Sequence, residues 1–229
     1  MDLGSRLADI YARISDAARS AGRDATTITR IVVTKFHPVD LVRDLAELGV
    51  TDVGENRQQE LSSKRETYAG RPLRWHFIGQ AQTNKARAVR RDADAVHSLD
   101  RARLADALHT ARREDDESDI LDVLIQVNLT DDPGRGGVEP SGIVELAEHV
   151  AASCPSLRLR GVMAVAPLDE EPAPAFARLA DYAGLVRGVV PDAEWISAGM
   201  TGDFAEAIAA GATHLRIGSA ITGPRPVHG

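Results

Sequence analysis

The sequence predicts an α/β chain folded as a single (β/α)8 barrel of the TIM type, with one extra helix in front. Three observations predict it. Short β-branched or apolar runs alternate with longer stretches of helical periodicity about eight times. No linker rich in Pro, Gly or Ser divides the 229 residues, so one domain over residues 1–229 is expected. Eight strands also suit a closed barrel better than an open doubly wound sheet, which uses fewer.

The elements follow in order. Leu3, Leu7, Ile10 and Ile14 stand at helical spacing with Arg and Asp between them, an amphipathic helix ending near Gly22. Strands are expected over residues 30–35, 51–54, 74–79, 95–98, 121–128, 157–165, 194–197 and 214–218. Helices are expected over 40–48, 57–68, 83–90, 101–113, 141–153, 174–189 and 203–210. In the first of these, Leu41, Leu45 and Leu48 form the apolar stripe that packs on a sheet. The acidic run 114–118 reads as a solvated loop, and Asp131-Asp132-Pro133-Gly134-Arg135-Gly136-Gly137 as a mobile one.

Composition narrows the function. A formal charge of −7 with dispersed basic residues argues against nucleic acid, although one local cluster could still hold a small anion. With 43% hydrophobic but only 4% aromatic residues, the core must be mainly Val, Leu, Ile and Ala. Cys154 is the sole cysteine, so no internal disulfide forms and no cysteine-based metal site is expected; a buried structural thiol at a helix end is the reading. No run approaches the roughly 18 apolar residues of a membrane span, and no signal-type segment opens the chain, so a cytoplasmic protein without membrane contact is expected.

Barrel enzymes gather their ligands at the C-terminal ends of the strands. The first strand runs Arg30-Ile31-Val32-Val33-Thr34-Lys35, ending in a lysine. It is either a snorkelling surface residue or a half-buried amine, whose lowered pKa would raise the neutral fraction able to attack an aldehyde. After strands seven and eight come Ser197-Ala198-Gly199-Met200-Thr201-Gly202-Asp203 and Arg216-Ile217-Gly218-Ser219, small residues, hydroxyls and a fixed charge where barrels bind phosphate. Singly, Thr201 could be a helix N-cap and Gly218 a turn glycine. Asn56 and Asn128, at other strand ends, either shape a pocket or cap helices. His76 and His97 lack the spacing of a metal pair, and each reads as a hydrogen-bonded structural histidine.

The ordered series Val33-Thr34-Lys35, Gly54-Glu55-Asn56-Arg57, Trp75-His76-Phe77-Ile78-Gly79 with Gln82 and Asn84, His97-Ser98-Leu99-Asp100, Gln126-Val127-Asn128, Gly161-Val162-Met163-Ala164, Gly199-Met200-Thr201-Gly202-Asp203-Phe204 and Arg216-Ile217-Gly218 resembles the pyridoxal phosphate homeostasis protein family. That family's fold is similar to the N-terminal barrel of alanine racemase. The resemblance implies pyridoxal 5′-phosphate held as a Schiff base on Lys35. It implies Thr201, Arg216, Gly218 and Ser219 around the phosphate and ring edge, with Asn56 and Met200 nearby. Arg216 then faces either the pyridine nitrogen or the phosphate. Ala81 stands where the family commonly has leucine, Thr201 replaces a frequent serine, and residues 133–137 lack the family's lysine.

Racemisation needs a proton donor on each face of the reacting carbon. In alanine racemase the second donor is a tyrosine from another domain, whereas Tyr11, Tyr68 and Tyr182 map here to outer helices. The expectation is therefore a monomeric carrier that buffers intracellular pyridoxal phosphate, or delivers it to apo-enzymes that depend on it, without racemase turnover. The alternatives are a low-activity pyridoxal phosphate-dependent amino-acid racemase or lyase, and a barrel enzyme acting on a phosphorylated metabolite with Lys35 as nucleophile and no cofactor.

Overall fold

A computed structural model describes residues 1–112, 119–130 and 132–225. Eight parallel strands close into a barrel in sequence order: β1 (Thr29–Val33), β2 (Asp52–Glu55), β3 (Arg74–Phe77), β4 (Ala95–Leu99), β5 (Leu121–Gln126), β6 (Leu157–Met163), β7 (Trp195–Ser197) and β8 (His214–Ile217). Around them lie α1 (Leu3–Ser20), α2 (Val39–Glu47), α3 (Gln58–Thr67), α4 (Ala86–Asp92), α5 (Ala102–Thr110), α6 (Ile143–Ser153), α7 (Pro172–Val189), α8 (Phe204–Ala209) and α9 (Ser219–Thr222). The expected eight-stranded barrel and its leading helix are both present. The acidic run 114–118, residue 113 of the fifth expected helix and Asp131 lie outside the described residues.

Alternation along the strands divides the barrel into two environments. Val32, Val53, Trp75, Phe77, Val96, Val123, Ile125, Val162, Ile196, Leu215 and Ile217 point outward into the hydrophobic core shared with the helices. Each large side chain fully buried there stabilises the fold by roughly 1.5–3 kcal/mol. The inward positions are more polar: His76, His97, Ser197 and Arg216 are buried inside the barrel. At its base Asp122 accepts from Arg158 Nε at 2.6 Å and also pairs with Arg74.

The leading helix is part of the closure. Asp2 caps α1 by accepting from Ser5 N at 2.8 Å, and Leu7, Ile10, Ile14 and Ala18 form its buried face. Arg6 Nε donates to Ile221 O at 2.7 Å, and Arg23 donates to Ala212 O at 2.7 Å, tying the first segment to the last βα unit. The β5–β6 register shifts between Val123 and Leu124, opposite Gly161. Gly161 has φ +145°, and a Cβ there would stand 1.9 Å from Trp195 O, so only glycine fits.

Several boundaries differ from the sequence reading; β3, β5 and β6, for example, each end two residues earlier than expected, at Phe77, Gln126 and Met163. Strand β1 ends at Val33, which puts Lys35 in the turn beyond it. The four residues of α9 are too few for helical periodicity to reveal. The loop that holds residues 132–137 is anchored at both sides, where Asn128 Nδ2 donates to Asp132 O at 3.0 Å and Val138 N, just beyond it, donates to Gln126 O at 2.8 Å. Among the described residues, no helix is long and apolar enough to cross a membrane.

Candidate functional site

Lys35 occupies a turn built by its neighbours. His37 N donates to Thr34 O at 3.1 Å, closing residues 34–37, and Phe36 takes φ +68°, a left-handed conformation rarely tolerated by a bulky side chain. The strain is held by a carboxylate, because Phe36 N donates to Glu60 Oε2 at 2.8 Å. The Phe36 ring gathers cations: Arg225, Arg57 and Lys35 Nζ lie 4.2, 5.0 and 5.9 Å from its centroid.

Beneath the turn is a buried ion pair that sequence reasoning missed. Lys64 Nζ donates to Glu55 Oε1 at 2.5 Å and to Thr34 O at 2.8 Å, and Thr34 Oγ1 donates to the same carboxylate oxygen at 2.5 Å. Glu55 is wholly buried and its other oxygen, Oε2, has no hydrogen-bond partner among the described residues. Burial pushes the Glu55 carboxyl up, and Lys64 offsets only part of that. The available signal was register: Lys64 lies three residues after Leu61, and these are the two buried positions of the otherwise polar α3.

The turn faces a cavity of about 510 Å3 at the C-terminal ends of the strands. All seven residues named from the sequence line it: Lys35, Asn56, Met200, Thr201, Arg216, Gly218 and Ser219. Val33, His37, Ile78, Val165, Thr222 and Arg225 complete much of the wall. Three cations, Lys35, Arg216 and Arg225, contribute, and among the described residues no carboxylate lines it. The volume suits a small cofactor.

Local contacts show which of these residues cap helices or turns. Asp203, not Thr201, is the N-cap of α8, and its Oδ1 accepts from Met200 N at 2.6 Å. Asn56 does not cap α3, whose N-cap is Arg57. Gly79 packs directly on Asn56, where a Cβ would come within 1.9 Å of the Asn56 carbonyl oxygen. Gly218 has φ −106° and so is not a left-handed turn residue. Asn128 caps no helix and lines a different cavity, accepting from Thr130 N at 2.9 Å and donating to Asp132 O at 3.0 Å.

Arg216 enters from inside the barrel. It is 5% exposed, donating from one terminal nitrogen to Ser197 Oγ at 2.7 Å and from the other to Ala164 O at 2.8 Å. Burial pulls its pKa down to about 10, which still leaves it charged at neutral pH. Beyond Ser197 the contacts continue: His97 Nδ1 is 2.9 Å from Ser197 Oγ, His97 Nε2 is 2.9 Å from His76 Nδ1, and His76 Nε2 is 2.9 Å from Asp52 Oδ1. Burial lowers both histidines, His97 strongly, so both rings are neutral. Burial alone would raise Asp52, but hydrogen bonds from His76 and Thr51 outweigh it and hold the carboxyl below its usual range. The two histidines are hydrogen-bonded, as the sequence reading had them, but to each other.

The chain matches the family model for the alanine racemase N-terminal domain over residues 7–226. The pyridoxal phosphate homeostasis protein of Pseudomonas aeruginosa is 37% identical over 223 residues, covering 97% of this chain and 96% of that one. Its counterpart in Corynebacterium glutamicum is 39% identical over 224 residues, covering 95% and 100%. The chain belongs to the pyridoxal phosphate homeostasis protein family. Among solved structures, PipY of Synechococcus elongatus with PLP bound superposes with a TM-score of 0.82 at 28% identity, covering 97% of this chain and all of PipY.

A larger cavity, about 880 Å3, lies beside the loops after β5 and β6. The carboxylates of Asp132, Glu139, Asp169 and Glu170 outnumber the guanidiniums of Arg135 and Arg178 there, and Arg178 is already paired with Glu170, so the lining disfavours a phosphate. Tyr182 lines that second cavity, and none of Tyr11, Tyr68 and Tyr182 lines the one holding Lys35. Cys154 is wholly buried, with Sγ 3.8 Å from Asp106 Oδ1, and burial together with Asp106 pushes the thiol up to about 11. His149 Nε2 approaches the same oxygen at 2.7 Å, so the cysteine keeps company with two other potential metal ligands rather than standing alone.

Proposed function

We propose that the chain binds pyridoxal 5′-phosphate in the 510 Å3 cavity, as a Schiff base on Lys35, and serves intracellular homeostasis by buffering the cofactor or handing it to apo-enzymes. One observation carries the reading: Lys35 shares a carboxylate-free cavity with Arg216, Thr201, Ser219 and Gly218. The donor set fits the group. Hydroxyls of Thr201 and Ser219 and the open backbone at Gly218 would take the phosphate, while Arg216, fixed by Ser197 and Ala164, would face the ring. Asn56 and Met200 would border it.

The bound cofactor supplies an aldehyde and an electron-accepting ring. This chain's residues supply the amine at Lys35, a cationic wall and the ion pair that props the Lys35 turn. A guanidinium facing the pyridine nitrogen disfavours its protonation and so weakens the ring as an electron sink. With no tyrosine in that wall, the role proposed is holding rather than turnover, in a cytoplasmic monomer. Borohydride reduction followed by peptide mapping tests the site: the label is expected on Lys35, and a label elsewhere overturns the assignment. Steady interconversion of L- and D-alanine that is lost in Lys35→Ala would overturn the carrier role.

A further inference from the structure

The contacts from Arg216 to Asp52 permit only one arrangement of protons. Arginine only donates, and an ionised carboxylate only accepts. His76 Nε2 faces Asp52 Oδ1 at 2.9 Å, so in a neutral ring that nitrogen carries the proton and Nδ1 is bare. His97 Nε2, 2.9 Å from this bare Nδ1, must then donate, which leaves His97 Nδ1 bare. Ser197 Oγ accepts from Arg216 at 2.7 Å and turns its own proton onto His97 Nδ1 at 2.9 Å. Every donor points away from the cavity and every lone pair towards it.

We propose that Asp52, His76, His97 and Ser197 are positioning residues that act as a one-way hydrogen-bonded chain, fixing the Arg216 guanidinium and delivering to it the counter-charge of a carboxylate at the opposite end of the barrel. The need for such a device is physical. Arg216 is buried, and the acceptors it touches, a hydroxyl and a backbone carbonyl, are both neutral. Asp203 attracts it only through space. Aligned neutral dipoles ending on an ionised group stabilise the cation without placing an acid in the cavity, where it would oppose an anionic ligand. Asp52 lies at the start of β2, whereas the cavity lies beyond the strand ends, so Asp52 touches no ligand there.

The role toward a bound cofactor rests on the function proposed above; the proton arrangement does not. Long-range 15N–1H NMR of the histidine-labelled full chain, without added cofactor, reads it directly. His76 and His97 are expected as neutral Nε2–H tautomers. Asp52→Ala removes the acceptor that sets the direction, so the signals of His97, which Asp52 does not touch, shift towards the Nδ1–H form. Ser197→Ala leaves that tautomer in place, because direction is set at the carboxylate end. Titrated with pyridoxal phosphate, Asp52→Ala is expected to bind about five-fold or more weakly. A charged ring or an Nδ1–H tautomer in the wild type overturns the proposal, as does a His97 signal unmoved by Asp52→Ala. The wild-type measurement decides even if the variants fail to fold. Expected tautomers with no borohydride label on Lys35 would overturn the cofactor reading instead.

Discussion

Replacing Lys64 by methionine turns the prop beneath Lys35 into a measurable cost. The wild-type pair is buried, with side chains 7% and 0% exposed, and Lys64 partly offsets the penalty of burying the Glu55 carboxylate. Without Lys64, Thr34 Oγ1 is the sole remaining donor to Glu55 among the described residues, where Oε2 already lacks a partner. The folded variant therefore takes up a proton at Glu55. That relief limits the cost to the work of protonating a carboxyl of ordinary pKa about 4.3, at 1.36 kcal/mol per pH unit. The ceiling is about 3–4 kcal/mol at pH 7 and about 1 kcal/mol at pH 5; the loss relative to wild type is smaller, because Glu55 is already raised with Lys64 in place. The sign follows from linkage: a folded-state pKa raised above the unfolded value makes the variant lose stability as pH rises past about 4.3. Urea unfolding of both proteins at pH 5, 6 and 7 measures the difference. Adding Glu55→Gln should abolish the pH dependence and restore part of the loss. A difference of the same size at all three pH values refutes the reasoning.

Three other outcomes follow from the same structure. Burial depresses His214 to about 3, so its folded form resists protonation and stability falls with pH from about 6.5 down through about 3; the contribution at pH 5 is about 2 kcal/mol, and His214→Gln should flatten the slope of melting temperature against pH. Gly79→Ala forces a Cβ onto the Asn56 carbonyl oxygen, so it should cost about 1–3 kcal/mol or more in urea unfolding and reduce retention of pyridoxal phosphate; a variant of native stability would contradict the packing. With a pKa of about 11, the Cys154 thiol is roughly one thousandth ionised at pH 8, so iodoacetamide should label it slowly in the native chain and rapidly in urea; fast native labelling would contradict the burial.

Much of the architecture was legible because it is periodic. The stripe Leu7, Ile10 and Ile14 and the β-branched run Ile31-Val32-Val33 before Lys35 report which face is buried, and a barrel repeats such a pattern in every unit. The cavity residues were legible for a topological reason: strand ends in a closed parallel barrel converge, so Lys35 and Ser219 meet although 184 residues separate them. Lys64 was illegible because its significance is a single long-range contact, nine residues from Glu55 along the chain but joined to it only through the packing of α3. The link between His76 and His97 was hidden likewise, since inward alternation is visible in a sequence while the register between neighbouring strands is not. Short elements such as α9 leave too few residues to show any period.

The polar interior also bears on how the barrel comes together. Asp52, His76 and His97 belong to β2, β3 and β4, while Ser197 and Arg216 belong to β7 and β8. One contact, between residues 97 and 197, bridges the two groups. A half-barrel folded ahead of its partner would bury a histidine pair with one nitrogen unanswered, or an arginine backed only by a serine and one backbone carbonyl. An apolar interior would reward partial closure in proportion to the surface covered. This one withholds its reward until the last strands arrive, so the wiring beneath the cavity doubles as a check that the ring of strands has shut.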